Sequence, residues 1–280
     1  SVAAEQQSQS ISRRGPSKQA GYDDQNQPSK ALLGFAKSCG VHIEDLILED
    51  TAKGAYFSYQ GQSKAAKTPS LIQDILEQAI AKLPISKPMR WGNHDWTFVR
   101  PVHWLLALWG DTVLDIELFG KKADNKSYGH RFHHPQAIAI KTPQEYFTTL
   151  EKTAFVIADP NERRTRISKQ LEQLALSKQL CSPKNPSLLE EVNNLVEWPN
   201  GLLCQFDQAF LKVPQEALFA SITQHQKAFP LTDNDGVCQA YFVTFSNLNV
   251  EDTSHIIKGN EKVMRARLAD AAFFFEVDQK

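Results

Sequence analysis

Three histidines within five positions are the first side chains whose type and spacing could support chemistry. His130, His133 and His134 lie in one polar segment, and neutral imidazole is a common ligand of zinc. A zinc site also needs a fourth ligand and partners for the outer ring nitrogens, and the local sequence supplies neither. The dipeptide at His94 and Asp95 is shared with metal phosphohydrolases, but it lacks their further ligands at helical spacing. A stand-alone metal-dependent hydrolase therefore remains the alternative hypothesis, and no metal ligand is predicted.

Basic side chains beside aromatic rings form a second group of interest. Four of the five tryptophans fall between Trp91 and Trp109, and basic residues accompany this stretch. The final predicted helix carries four basic residues and one acid within ten positions. Cationic side chains beside stacking rings can hold the phosphates and unpaired bases of a nucleic acid. The candidate binding residues are Arg90, Arg100, Arg131, Lys258, Lys262, Arg265 and Arg267.

The spacing of the last four cations predicts which of them act together. Lys258 and Lys262 are four positions apart and Arg265 follows three later, which places all three on one face of a helix. Arg267 and Asp270 are three apart and could instead pair with each other. A solvated helix face and a tryptophan-rich core remain the alternative explanation for the whole group.

Other common catalytic motifs do not occur in the sequence. The 13 glycines contain no G-x-G pair and no G-x-x-x-x-G-K-S/T run, which argues against dinucleotide and P-loop sites. No G-x-S-x-G nucleophile elbow occurs. The four cysteines form no C-x-x-C pair, so we expect reduced and mostly buried thiols. No catalytic residue is therefore predicted in this chain.

The composition is that of a folded protein of one or two domains. Of the 280 residues, 41% are hydrophobic and 22% are charged, close to globular averages. The formal net charge of −1 argues against a surface that binds polyanions everywhere, but it allows a local basic patch. No apolar run approaches the length of a membrane span, and no secretory leader is recognisable. The expected location is the cytoplasm.

The elements that must position these side chains follow from periodicity and from turn residues. Helices are predicted to begin at Ser29, Ser70, Thr142, Asp159, Leu188, Pro214 and about Gly259, and hairpins to turn near Gly54, Gly110 and Gly236. Val102–Trp109 is apolar on both faces and predicts a buried strand in mid-sheet. Phe155–Ala158 predicts a further short strand.

Hairpins mixed with helices, without regular alternation, predict an α+β fold of antiparallel sheets in two lobes. The predicted limits are an extended N-terminal arm over residues 1–30 and an α+β lobe with the tryptophan-rich hairpin over 31–155. A second α+β lobe, ending in the basic helix, is predicted over 156–280.

Several sequence motifs of four to seven residues also resemble those of a known family. They include Arg13-Arg14-Gly15-Pro16-Ser17, Phe98-Val99-Arg100-Pro101-Val102-His103-Trp104, Gly129-His130-Arg131-Phe132, Leu195-Val196-Glu197-Trp198-Pro199 and Gly259-Asn260-Glu261-Lys262-Val263. In this order, over nearly the whole chain, they resemble the beta subunits of bacterial heterotetrameric glycyl-tRNA synthetases. A departure at Asn93-His94 weakens any functional role for His94.

The resemblance implies a ligase that joins glycine to tRNA(Gly) with ATP, in which ATP and Mg²⁺ belong to a separate alpha subunit. It implies that the beta subunit binds tRNA and helps assembly, with HD-type and anticodon-binding modules further along. This chain would then be an N-terminal-to-middle fragment without a cofactor of its own. The expected partners are the alpha subunit and tRNA(Gly), but neither DNA nor a membrane. Neither class I synthetase signature, H-I-G-H or K-M-S-K-S, occurs.

Overall fold

The computed structural model describes residues 2–23, 25–51, 54–62 and 65–279. The chain forms two compact units, the first being Ser1–Pro101 with Ile116–Phe119 and the second Val102–Asp115 with Gly120–Lys280. The fold is α+β, as predicted, with helices packed on small, mainly antiparallel sheets. The predicted limits of the arm and the two lobes remain predictions. No helix in the described ranges has both the length and the apolar character needed to cross a bilayer.

Helices end and begin mostly where capping residues predict. Ser29 accepts a hydrogen bond from the N–H of Leu32, and Gly40 ends the same helix with a φ of 71°. Three helices begin earlier than predicted, at Thr68, Pro186 and Ser254. The helices of the described residues are α1 (Lys18–Gly21), α2 (Lys30–Cys39), α3 (Thr68–Ala81), α4 (Tyr146–Ala154), α5 (Pro160–Leu176), α6 (Pro186–Leu195), α7 (Gln215–Ala220) and α8 (Ser254–Asp278).

The strands are mostly short, and only a few exceed five residues. They are β1 (Ser10–Ser17), β2 (Ile47–Thr51), β3 (Gly54–Gln62), β4 (Met89–Arg90), β5 (Thr97–Phe98), β6 (Leu105–Leu106), β7 (Leu108–Trp109), β8 (Thr112–Val113), β9 (Glu117–Leu118), β10 (Lys121–Asp124), β11 (Lys126–Tyr128), β12 (Ala137–Ala139), β13 (Asn200–Gln205), β14 (Phe229–Thr232) and β15 (Cys238–Ser246).

The first unit is built around one antiparallel sheet. Strand β3 lies in the middle, with β1 and β2 on either side. The predicted hairpin is β2–β3, with Gly54 at a φ of 106°, while its turn residues Ala52 and Lys53 lie outside the described residues. Helix α2 contributes the buried Leu32 and Ala36 to the core of this unit.

The second unit contains a sheet between two helical layers. Strand β15 lies between β13 and β14, and both pairings are antiparallel. Phe242 of β15 belongs to a core with Leu218 of α7 and Leu268 of α8. The next residue, Val243, belongs to a core with Ile167 of α5 and Val192 of α6. Because successive side chains of a strand point to opposite faces, β15 contributes to the cores on both sides of the sheet.

Two predicted strands are wrong. Val102–Trp109 is not one buried strand, because β6 pairs in parallel with β10, whereas β7 pairs antiparallel with β8. Its apolar residues are half-buried between these different partners, and Trp104 is exposed. Phe155–Ala158 forms no strand, because Phe155 adopts a left-handed conformation, with a φ of 56°, that ends α4.

Candidate nucleic-acid interface

Helix α8 positions four of the seven predicted cations. Met264, Leu268 and Ala272 recur every four residues and are buried against the core, which fixes the rotation of the helix about its axis. Glu261 also accepts a hydrogen bond from the backbone N–H of Gln205 at 2.9 Å. The opposite side of α8 is therefore held toward solvent.

Lys258, Lys262 and Arg265 share an exposed face of α8, as their spacing predicts. None of these side chains forms an ion pair within the part of the chain that the structure describes. We call these three residues the cationic face. Their ammonium and guanidinium groups are exposed and can donate hydrogen bonds to phosphate oxygens, although the carboxylates of Asp252, Asp207 and Glu261 lie nearby.

Arg267 lies elsewhere on the same helix. Two residues after Arg265, it is rotated by about 200° around the helix axis. The pairing with Asp270 that the sequence allows is not formed among the described ion pairs. Arg267 is exposed, but it does not belong to the cationic face.

The cationic face borders an open cleft of about 380 Å³, whose lining includes Lys262, Arg265, Asp207 and Glu261. Both carboxylates already accept backbone hydrogen bonds, Asp207 from the N–H of Ala209 and Glu261 from the N–H of Gln205. The cleft therefore places two cations beside two carboxylates, and both cations keep donors that no hydrogen bond among the described residues uses. Ammonium and guanidinium groups arranged in this way can hold an anionic backbone.

The basic run in α5 shows that sequence clusters and available surfaces differ. Arg164 pairs with Glu190, and Arg166 pairs with Glu151. The hydrogen bond that Arg166 donates to the Glu151 carboxylate raises the pKa of the Arg166 guanidinium above its ordinary value. Arg163 donates to backbone carbonyls inside the fold. These arginines serve the packing of α5, and their charges are not free to meet a ligand.

Two predicted cations belong to the first unit. Arg90 lies 3.5 Å from Asp95, and both side chains are mostly exposed, so the pair adds little stability. The Nη1 atom of Arg100 lies 4.0 Å from the sulfur of Met89. Both arginines are solvent-exposed, and their role as RNA contacts remains a prediction.

The histidine-rich loop is a structural tether. His130 is 2% exposed, and its Nε2 lies 2.6 Å from the carbonyl oxygen of Asn247. Its Nδ1 accepts hydrogen bonds from the N–H groups of Phe132 and His133 at 3.2 and 3.3 Å. Because Nδ1 accepts, Nε2 must be the donor to the carbonyl, and neither nitrogen is left for a metal.

A second histidine strengthens the same tether. The Nε2 atom of His133 accepts a hydrogen bond from the N–H of Asn249 at 2.9 Å. The described residues contain no group of three His, Cys, Asp or Glu side chains that could hold a metal ion. The hydrolase hypothesis therefore gains no support from the geometry. Arg131, between these two histidines, is exposed.

One exposed aromatic pair was not among the predicted binding residues. The ring centroids of Trp104 and Tyr128 lie 4.9 Å apart, and the two residues are 44% and 41% exposed. Trp104 belongs to the tryptophan-rich stretch between Trp91 and Trp109, but Tyr128 lies outside it. Alternation along β11, with Ser127 buried and its neighbours exposed, is the signal that would have found the pair.

Comparisons with known proteins agree on one family. The profile described as "Glycyl-tRNA synthetase beta subunit" matches residues 1–280. The chain is 42% identical over 279 residues to the glycine–tRNA ligase beta subunit of Hahella chejuensis, covering 100% of this chain and 40% of that protein. Corresponding subunits of Pseudomonas fluorescens and Pseudoalteromonas translucida are 44% and 43% identical, with 100% and 99% of this chain covered. The chain spans about 40% of the length of each of these relatives.

Proposed function

The chain belongs to the glycyl-tRNA synthetase beta subunit family, and from this premise we propose that it is a non-catalytic, tRNA-binding part of a glycine–tRNA ligase. In this proposal the ligase joins glycine to tRNA(Gly) with ATP in the cytoplasm. A separate alpha subunit supplies the sites for ATP, glycine and Mg²⁺. The observation that carries the proposal is the cationic face of α8, whose three charges have no ion-pair partner among the described residues.

The cationic face suits a folded RNA better than it suits a small anion. Lys258 and Arg265 are seven residues apart, which is about 10 Å along a helix and comparable to the distance across one or two phosphate intervals. Lys262 lies between them on the same face. Three cations in a row along a rigid helix match a repeating backbone charge, and each phosphate contact releases bound counterions.

A second surface of α8 supports the proposed role in assembly. Val263, Phe274 and Val277 lie along another side of the helix, and Phe274 is 63% exposed. Exposed apolar side chains in a row are typical of a protein contact. We propose that this side meets another part of the ligase, and that Phe274→Ala weakens co-elution with the alpha subunit without changing the stability of the chain.

The tRNA-binding role is tested in the complete ligase by reversing two charges, Lys262→Glu with Arg265→Glu. Filter binding of tRNA(Gly) at several salt concentrations should show affinity reduced by roughly tenfold or more and a shallower salt dependence. Lys169→Glu is the matched control, because Lys169 is an exposed lysine on α5 without a described ion pair. Equal affinity for the wild type and the double variant would contradict the proposal.

The division of labour between subunits has its own measurement. Glycine-dependent exchange of pyrophosphate into ATP reports amino-acid activation and needs no tRNA. The same double variant should keep the wild-type exchange rate while its aminoacylation shows a raised KM for tRNA. A parallel loss of exchange would mean that Lys262 or Arg265 takes part in activation.

A further inference from the structure

We propose that Trp104 and Tyr128 form a stacking platform for an unpaired nucleotide of the RNA, with Lys126 and Arg131 contacting the flanking phosphates. This inference rests on the proposed function, but it concerns different residues from the cationic face. It assigns a specific binding chemistry, base stacking, to a surface of the second unit.

The two rings are packed on each other without being buried. Their centroids are 4.9 Å apart and their planes are inclined by 53°. Large aromatic side chains in a core lose nearly all of their exposed surface. Trp104 and Tyr128 keep 44% and 41% of theirs, so each ring supports the other and still offers a surface to solvent. Such a surface is what an unstacked base requires.

The pairing of β11 with β12 explains why the platform is open. Tyr128 lies opposite Ala137, and Lys126 lies opposite Ala139. Methyl groups are too short to cover a tyrosine ring or a lysine side chain on the same face of the sheet. Ser127, between the two, is buried on the opposite face. The alternation of β11 thus aims one ring and one cation at the same solvent-facing side.

The platform is also anchored on the C-terminal side of Tyr128. Tyr128 is followed by Gly129 and by the buried His130, whose ring is tied to Asn247. The N–H of His130 also donates to the carbonyl of Ala154 at 2.8 Å. A preformed platform spends little conformational entropy when a base stacks on it.

The local charge favours RNA over an apolar protein partner. Residues 121–131 carry four basic residues and one acid, whereas the whole chain has a net charge of −1. The acid, Asp124, lies 3.2 Å from Lys126 and is mostly exposed, so it screens that cation only weakly. The remaining cations of this segment, Lys121, Lys122 and Arg131, are exposed. Aromatic rings beside basic side chains are the combination that binds single-stranded nucleic acid.

The test uses the complete ligase with two probes, tRNA(Gly) and a short unstructured oligouridylate. Trp104→Ala and Tyr128→Leu should each weaken binding of the oligouridylate by roughly 5- to 150-fold, while the salt slope stays unchanged because no charge is removed. Trp104→Phe is the matched control that keeps a ring, and its affinity should stay within about threefold of the wild type. Lys126→Gln should instead lower the salt slope by about one unit.

Two results would overturn the platform. The first is an unchanged affinity of Tyr128→Leu and Trp104→Ala for both the oligouridylate and tRNA(Gly). If reversal of the α8 charges still weakens tRNA binding, the proposed function stands although the platform does not. Dissociation of the alpha subunit from Trp104→Ala, with RNA affinity retained, would show that the rings form a protein contact instead. A urea midpoint equal to that of the wild type establishes that a variant is folded. If Trp104→Ala does not fold, the result for Tyr128→Leu decides the outcome.

Discussion

The Nε2 atom of His130 lies 2.6 Å from the carbonyl oxygen of Asn247, which joins the histidine-rich loop to the segment after β15. The side chain of Asn247 extends the connection, because its Oδ1 accepts the N–H groups of Glu197 and Trp198 at 3.0 and 2.8 Å. Three segments far apart in sequence therefore meet through one histidine and one asparagine. Both side chains therefore hold the second unit together. A structural role and a metal-binding role for His130 make different predictions.

Replacing His130 should destabilise the protein. His130→Ala removes a buried ring and leaves the carbonyl of Asn247 and two N–H groups of the loop without partners, at a cost of roughly 2–5 kcal/mol. Urea unfolding measures this change. His94→Ala is the control, because His94 is exposed and its ring stacks on Trp96, so it should change stability by less than about 1 kcal/mol.

The metal hypothesis makes the opposite prediction for the same loop. If His130 served a metal ion, a chelator would lower the unfolding midpoint of the wild type and the alanine variant would become insensitive to it. We expect the wild type to show the same midpoint with and without the chelator.

Gly129 should tolerate no side chain. A Cβ at this position would lie 2.5 Å from the Cβ of Ala154 and 2.6 Å from its carbonyl oxygen, so the loop and the end of α4 would have to separate. Gly129→Ala should cost about 1–3 kcal/mol or more in the free energy of unfolding. Gly259→Ala is the matched control: nothing lies within 4 Å of its Cβ, and it sits inside α8. That variant should gain about 0.5–1 kcal/mol.

The two sides of α8 should differ in salt dependence. Neutralising Lys258, Lys262 or Arg265 one at a time with Gln should lower the salt slope of tRNA binding by about one unit each. Arg267→Gln should leave the slope near the wild-type value, because this residue points away from the cationic face. A slope that falls equally for all four variants would mean that the RNA contacts both sides of the helix or that the effect is long-range electrostatics.

Three of the four cysteines should fall into two reactivity classes, while Cys39 is half-buried. Burial raises the pKa of the Cys204 thiol to about 12, with the nearby Glu261 adding to the effect, and burial raises that of Cys238 to about 11. At pH 8 we expect a thiol reagent to label the exposed Cys181 rapidly, and to label Cys204 and Cys238 only after denaturation. The expectation of mostly buried thiols is wrong for Cys181.

The same two thiols predict a pH effect on stability. Their folded-state pKa values lie above the ordinary value of 9.0, so the folded protein keeps protons that the unfolded chain loses in alkali. Their contribution is fully present below about pH 9 and is lost as the pH rises toward 11–12. Urea unfolding from pH 8 to 10.5 should therefore show a smaller loss of stability in Cys204→Ala than in the wild type. Identical slopes would indicate that the thiol is accessible in the folded state.

Local signals were sufficient for several of the helix termini. Ser29 and Asp159 accept hydrogen bonds from the first turns of α2 and α5, and Gly40 ends α2, because a cap needs only neighbouring residues. The same holds for the hairpin turn at Gly236, with a φ of 82°. These elements could be predicted since their causes lie within a few positions.

The backbone conformation of Phe155 and the availability of the cations depend on tertiary contacts, which the local sequence does not reveal. Phe155 packs between His133 and Trp198, with ring centroids at 5.2 and 5.3 Å, and no local pattern announces this left-handed residue. The cations of α5 and α8 look alike in sequence, yet Arg166 forms ion pairs and Arg265 forms none with the residues that the structure describes. Availability of a charge depends on carboxylates supplied by distant segments, so only the fold separates a binding surface from a packed one.

The uninterrupted length of α8 has a mechanical consequence. Lys262 and Phe274 are twelve residues apart on one helix, which corresponds to about 18 Å along its axis. If α8 moves as a rigid rod, a partner that tilts the helix at Phe274 also displaces the ammonium group of Lys262. The protein contact and the RNA contact proposed above would then be coupled through the helix.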